Sequence, residues 1–127
     1  MRAVDTNVLV RLVTGDDERQ LAVAATFVQN AVWVSHLVLA ETLWVLQTTY
    51  GYDSARIAAA VDQFLNHETV TLHDADVVAA ALDHFRSNPK VGFSDCLVLE
   101  IARKAGHLPL GTFDRDLSKL DGAQRLL

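Results

Sequence analysis

Five carboxylates stand beside apolar runs in this chain: Asp5, Glu41, Asp95, Asp114 and Asp116. Asp5 ends Arg2-Ala3-Val4. Glu41 interrupts a stretch from His36 to Leu46 that is otherwise almost wholly apolar. Asp95 opens Cys96-Leu97-Val98-Leu99, and Asp114 and Asp116 follow Leu108-Pro109-Leu110-Gly111-Thr112-Phe113. Asp and Glu are almost never fully buried unless paired or bound to a metal. Carboxylates brought together repel one another and protonate unless a cation compensates them. Hard oxygen ligands of this kind suit Mg2+ or Mn2+. The joint reading is an acidic pocket that holds metal for phosphate chemistry.

Each carboxylate also has a purely structural reading. Asp5 can cap the helix that follows it, with Thr6 and Asn7 sharing that work. Asp95 follows a capping serine, where the helix dipole favours a carboxylate. Asp114 and Asp116 can be turn and cap residues. Glu41 has no such simple alternative. Its neighbours three and four residues away are Leu37, Val38, Trp44 and Val45, and no Lys or Arg lies between Gln20 and Ala55 to pair with it. A buried Glu without compensation is strongly unfavourable, so the functional reading leads there. The other candidates are weaker. The histidines His36, His67, His73, His84 and His107 show no metal-ligand spacing, and Trp33 and Trp44 read as core or interface aromatics. Cys96 reads as packing; as the single cysteine it excludes an internal disulfide and a Cys-based zinc site.

The elements that must position these groups follow from periodicity. Arg2 to Val4 reads as a buried strand and Thr6 to Val13 as a short helix stopped by Thr14-Gly15-Asp16. Leu21, Ala24, Ala25 and Val28 recur at helical spacing from Asp17 to about Asn30, with Asp16 or Asp17 as N-cap. Val32-Trp33-Val34 is a strand. Ser35 caps a helix to about Tyr50, which Gly51 stops. Asp53 or Ser54 starts a helix with Ile57, Val61, Phe64 and Leu65 inward, and Thr69 to Leu72 is a strand. Asp74 caps a helix carrying Val77, Val78, Ala81, Leu82 and Phe85. Ser87 to Lys90 is a loop, and Ser94 caps a helix from Asp95 to about Lys104. Leu108 to Thr112 is a strand, Asp114 to Leu117 at most one helical turn, and Arg125 to Leu127 a final edge strand. Strands separated by helices mean parallel pairing with helices on both faces, hence α/β. Ligands bind beyond the carboxyl ends of such strands, where Asp5 and Asp114 fall. Glu41 and Asp95 fall in first turns of helices that can point to the same edge.

A chain of 127 residues is expected to form one domain, residues 1–127. Half of it is hydrophobic and the mean hydropathy is +0.17, which hints at surface covered by a partner. No apolar stretch approaches the roughly 20 residues that cross a bilayer, and the N-terminus has no secretory apolar region. A cytoplasmic protein with no membrane association is the expectation. A net charge of −5 argues against a general nucleic-acid coating role but not against a nuclease, whose metal pocket is itself acidic.

Four motifs in order carry a family resemblance: Val4-Asp5-Thr6-Asn7-Val8-Leu9, Ala40-Glu41-Thr42, Phe93-Ser94-Asp95-Cys96-Leu97 and Leu110-Gly111-Thr112-Phe113-Asp114-Arg115-Asp116-Leu117. With them the chain resembles, over nearly its whole length, a PIN-domain ribonuclease of the VapC-type toxins from bacterial toxin–antitoxin pairs. The resemblance implies a three-layer α/β/α sandwich around a short parallel sheet. It implies Mg2+ or Mn2+, cleavage of RNA, a homodimer, and inhibition by a cognate antitoxin segment lying across the site. It makes Asp5, Glu41, Asp95 and Asp114 the acidic quartet, Asp116 an auxiliary metal carboxylate, and Asn7 and Thr112 polar helpers. Relatives often have Phe where this chain has Leu117. Arg11, Lys90 and Arg115 are the basic residues nearest these motifs and are candidate phosphate contacts.

Rival chemistries fit less well. A haloacid-dehalogenase-type aspartyl phosphate site wants a second Asp at position 7, which is Asn7. A receiver-type phosphotransfer domain wants an acidic pair after the first strand and a late Lys, where this chain has a lone Asp5 and Thr112-Phe113-Asp114. A catalytically degenerate binding module of the same fold is the remaining alternative, against which the intact carboxylate set argues.

Overall fold

Four side chains start the helices of the N-terminal half in the same way. Asp5 accepts from the N–H of Val8, Asp17 from Gln20, Ser35 from Val38 and Asp53 from Arg56. Each satisfies a donor that a helix leaves unpaired in its first turn. They open α1 (Thr6–Thr14), α2 (Glu18–Val28), α3 (His36–Thr48) and α4 (Ser54–Asn66). α1 stops at Gly15, whose φ of 61° is the left-handed conformation that glycine adopts without strain. The computed structural model describes residues 1–127, which fall into two units, Met1–Ala75 and Asp76–Leu127.

In the first unit β1 (Arg2–Ala3), β2 (Val32–Val34) and β3 (Val70–Leu72) form a parallel sheet in the order β1-β2-β3, with Ala3 opposite Trp33 and Trp33 opposite Thr71. Val32, Val34, Val70 and Leu72 are buried while Trp33 and Thr71 alternate with them toward solvent. The expected buried strand Arg2 to Val4 is corrected: Arg2 and Ala3 are exposed and only Val4 is buried, because β1 is an edge strand of this sheet. α1 packs on α2 and α3, and α4 packs on β3 and α3, around Leu9, Val10, Leu39, Leu46, Ile57 and Val61. α3 ends at Thr48, slightly before the expected Tyr50. The parallel strands deliver Asp5, Ser35 and His73 just past the carboxyl ends of β1, β2 and β3, at one edge of the sheet.

The second unit holds α5 (Ala75–Ser87), α6 (Phe93–Ala105), β4 (Leu110–Thr112), a 3-10 turn (Leu117–Lys119) and β5 (Ala123–Arg125). α5 buries Val77, Val78, Ala81, Leu82 and Phe85, the stripe that its spacing predicts. Phe85 meets Phe93 of α6 edge to face at 5.9 Å. β4 and β5 pair in parallel as a second sheet, so the strands divide between two short parallel sheets. Several local expectations change, and β4 begins at Leu110 rather than Leu108. α6 begins at Phe93 with Gly92, not Ser94, at its cap. The final strand is Ala123–Arg125, slightly earlier than expected. Asp114 stays outside the short helical turn because its carboxylate accepts the N–H of Leu117 and so precedes it. No helix is long and apolar enough to cross a membrane.

Candidate active site

Asp5 and Glu41 come from α1 and α3. Asp5 is exposed, and its Oδ1 accepts from Val8 N at 3.4 Å as the cap of α1. The next residue, Thr6, donates its hydroxyl to Glu41 Oε2 at 2.9 Å. The start of α1 therefore has one carboxylate as its cap and bonds another through Thr6. Glu41 itself overturns two expectations. It is the sixth residue of α3, so it lies in the second turn, and it is exposed rather than buried. The buried side of α3 is Leu39, Thr42, Leu43 and Leu46. Leu37 and Trp44, on the same stripe as Glu41, are 68% and 65% exposed. The apolar composition of α3 thus leaves two large hydrophobic side chains in solvent, and the carboxylate between them is wet.

Asn7 is exposed on the first turn of α1 and lines an open groove with Arg11, Arg19 and Gln20 between α1 and α2. Arg11 is also tied down: it donates to Gln20 Oε1 at 2.6 Å, Asp16 Oδ1 at 3.2 Å and Tyr50 Oη at 3.3 Å. Hydrogen bonds from the Tyr50 and Thr14 hydroxyls, with the Arg11 charge, hold the Asp16 carboxyl below the usual carboxylate range. Arg19 lies outside the motifs that single out the other basic residues. Its place in the first turn of α2, two residues past an aspartate cap, is the signal that it faces that groove.

Asp95 and Asp114 come from α6 and from the end of β4. Asp95 occupies the first turn of α6 and is half-buried, and Asp114 is exposed two residues past β4. Burial pushes the Asp95 carboxyl above its usual value, and the negative charge of Asp114 pushes it further in the same direction. Thr112 accepts the Asp114 N–H through its hydroxyl at 3.0 Å, and Asp114 Oδ1 accepts Leu117 N at 2.9 Å. Asp116 instead turns toward Lys119, 3.9 Å away. Lys90, in the loop before α6, and Arg115, after β4, are both exposed. Cys96 is no nucleophile: burial, and then the charge of Asp95, push its thiol up to about 11.

The structure thus sets Asp95 near Asp114, and ties Glu41 through Thr6 to the helix that Asp5 caps. No group of three His, Cys, Asp or Glu side chains stands ready to hold an ion unaided. The donor set nevertheless fits Mg2+ or Mn2+. It consists of hard oxygens, and Asp95 with Asp114 is a like-charged pair that a divalent cation would relieve. Sequence reasoning misses Glu100, which is 7% exposed and bonded to Arg103. The available signal is a Glu and an Arg three apart on one helix face.

The model of the PIN domain family matches residues 2–123, running through both units. No curated protein matches the chain. Among solved structures, VapC20 of Mycobacterium tuberculosis, described as a sarcin–ricin loop cleaving toxin, is similar over 98% of each chain, with 22% identity and a TM-score of 0.45. At that identity and score the likeness adds nothing to the family match.

Proposed function

Because the chain belongs to the PIN-domain family, we propose that it is a metal-dependent endoribonuclease, the toxin of a toxin–antitoxin pair. The observation that carries this reading is the Asp95–Asp114 pair, a half-buried carboxylate whose charge is opposed by that of an exposed one. Such a pair is unfavourable in itself and makes sense as a cation site.

Asp95 and Asp114 would hold the ion, with Asp116 an auxiliary oxygen donor of the same unit; Asp5 and Glu41 are the acidic residues that the first unit contributes. A bound Mg2+ or Mn2+ supplies positive charge against the scissile phosphate and lowers the pKa of water. Glu41, held at Oε2 by Thr6, has Oε1 to orient the attacking water and take its proton. Attack in line breaks the bond from phosphorus to the leaving oxygen. Thr112 fixes the backbone that carries Asp114, and Asn7 stands exposed at the start of α1, where it is free to touch the scissile phosphate. Arg11 lines the groove beginning at Asn7 and contacts the RNA backbone, as do the exposed Lys90 and Arg115.

Leu37 and Trp44, standing in solvent on α3, are surfaces for protein partners. A homodimer covers part of this apolar area. An antitoxin segment lies beside the carboxylates and reaches them with a basic residue, an arginine, because an anionic pocket favours a bidentate cation. The reaction takes place in the cytoplasm.

The test is cleavage of a labelled single-stranded RNA by the purified chain in Mg2+, in Mn2+ and in EDTA. The proposal requires cutting that depends on the ion. Equal cutting in EDTA, or none in either metal, overturns it.

A further inference from the structure

The most buried carboxylate of the second unit lies outside the acidic quartet. Glu100, in the middle of α6, accepts from Arg103 Nε at 2.9 Å, and His84 Nε2 of α5 stands 3.5 Å from the same oxygen. The Arg103 guanidinium also reaches away from its helix. Its Nη2 donates to the Asp121 carbonyl at 2.6 Å, and its Nη1 lies 4.0 Å from the Asp121 carboxylate. Beside it Gly122 has φ +94°, and a Cβ there would stand 3.0 Å from Nη2 and 3.2 Å from Leu108 Cδ1. The guanidinium fills space that only a glycine leaves open.

Glu100 is buried and Arg103 partly exposed, and an ion pair drawn out of water in this way seldom adds net stability over apolar side chains of the same volume; its attested use is to specify one geometry. Here the geometry concerns the segment from Phe113 to Gly122. That segment is tied within itself. Asp114 N donates to Thr112 Oγ1, Leu117 N to Asp114 Oδ1, and Ser118 N to the Asp114 carbonyl. Leu120 N then donates to the Leu117 carbonyl, and Leu117 and Leu120 are buried. Asp114 near one end therefore moves with Asp121 near the other. α6 carries Asp95 in its first turn and Arg103 in its last, about 12 Å apart along the axis at 1.5 Å per residue.

We propose that Arg103, braced by Glu100, is a positioning residue: it fastens the 113–122 segment to α6 and so sets the separation of Asp95 and Asp114. The inference rests on those carboxylates serving a metal ion. A lysine in its place keeps a charge beside Glu100 but has no fork to span both Glu100 and the Asp121 carbonyl.

The experiment titrates Mn2+ alone into the full chain, without RNA, and follows free Mn2+ by electron paramagnetic resonance, with thermal melting in parallel. Wild type binds, and R103K stays folded and binds Mn2+ more weakly by about tenfold, the lower end of the loss seen when groups supporting metal ligands are changed. A merely structural role would lower the melting temperature and leave the affinity of the folded chain unchanged; that result overturns the proposal. If R103K does not fold, Glu100→Gln, nearly isosteric, carries the same test with the same expected weakening. Failure of both to fold overturns the proposal in favour of a structural pair. Absence of Mn2+ binding by wild type is a separate outcome that removes the metal reading itself.

Discussion

Thr6 donates its hydroxyl to Glu41 Oε2 at 2.9 Å, across the packing of α1 on α3. One residue earlier, Asp5 caps the same α1. A single exposed hydrogen bond thus links the segment carrying one proposed catalytic carboxylate to the side chain of another. Its contribution to stability is small, on the order of 1 kcal/mol. Its effect on the orientation of Glu41 is large, because nothing else in the chain bonds that carboxylate.

Thr6→Val keeps the branched shape and removes the hydroxyl. RNA cleavage should fall by about tenfold or more, while the melting temperature moves by only a few degrees. Thr6→Ser should restore most of the rate. Glu41→Gln, at an exposed position, should lose activity by roughly a hundredfold or more without loss of stability. Single-turnover rates and melting curves check all three. A Thr6→Val chain that cuts as fast as wild type would show that the bond does not orient Glu41 for the reaction.

Asp95→Asn should stabilise the metal-free protein at neutral pH. Burial and the charge of Asp114 raise the folded-state value of Asp95 above its unfolded value of about 3.9. In that window the folded state holds the proton more tightly, so wild-type stability falls as pH rises from the unfolded value through the folded one. The amide of the variant does not titrate and has no such dependence. In EDTA the variant should melt higher than wild type at neutral pH, and the difference should close as the pH falls toward the unfolded value. A variant that melts lower at neutral pH would mean that the Asp95 carboxylate is held by favourable contacts.

The exposed apolar stripe of α3 predicts self-association. Leu37 and Trp44 are 68% and 65% exposed in the single chain, an unfavourable state for side chains of that size. Light scattering at micromolar concentration should show a dimer. Leu37→Glu or Trp44→Ser should shift it toward monomer without lowering the unfolding temperature of the monomer. A monodisperse wild-type monomer counts against this use of the surface.

How far the residues themselves foretell this structure varies by element. The helix starts are legible because Asp5, Asp17, Ser35 and Asp53 each precede an apolar period and can reach only the N–H groups just ahead of them. The α5 stripe is legible because its apolar residues recur at three and four. α3 is not, because an apolar residue on every side hides which face is buried. Glu41 therefore reads as buried, when in fact Leu37 and Trp44 share its exposure. The strands are two or three residues long, and their pairing depends on partners distant in the chain, so their ends do not follow from local pattern. Glu100 closes the apolar run Cys96–Leu99 but stands in mid-helix, where a Glu reads as an ordinary solvated side chain. Its partner Arg103 lies one turn on, outside the run.

Whether the four carboxylates serve one metal-dependent nuclease is read most directly from RNA cleavage by four single variants, Asp5→Asn, Glu41→Gln, Asp95→Asn and Asp114→Asn, each shown to be folded by its melting curve. Every one should lose cleavage in Mg2+ and in Mn2+ by at least about a hundredfold, with no variant unfolded at the assay temperature. Full activity in a folded Asp5→Asn or Asp95→Asn chain would contradict this.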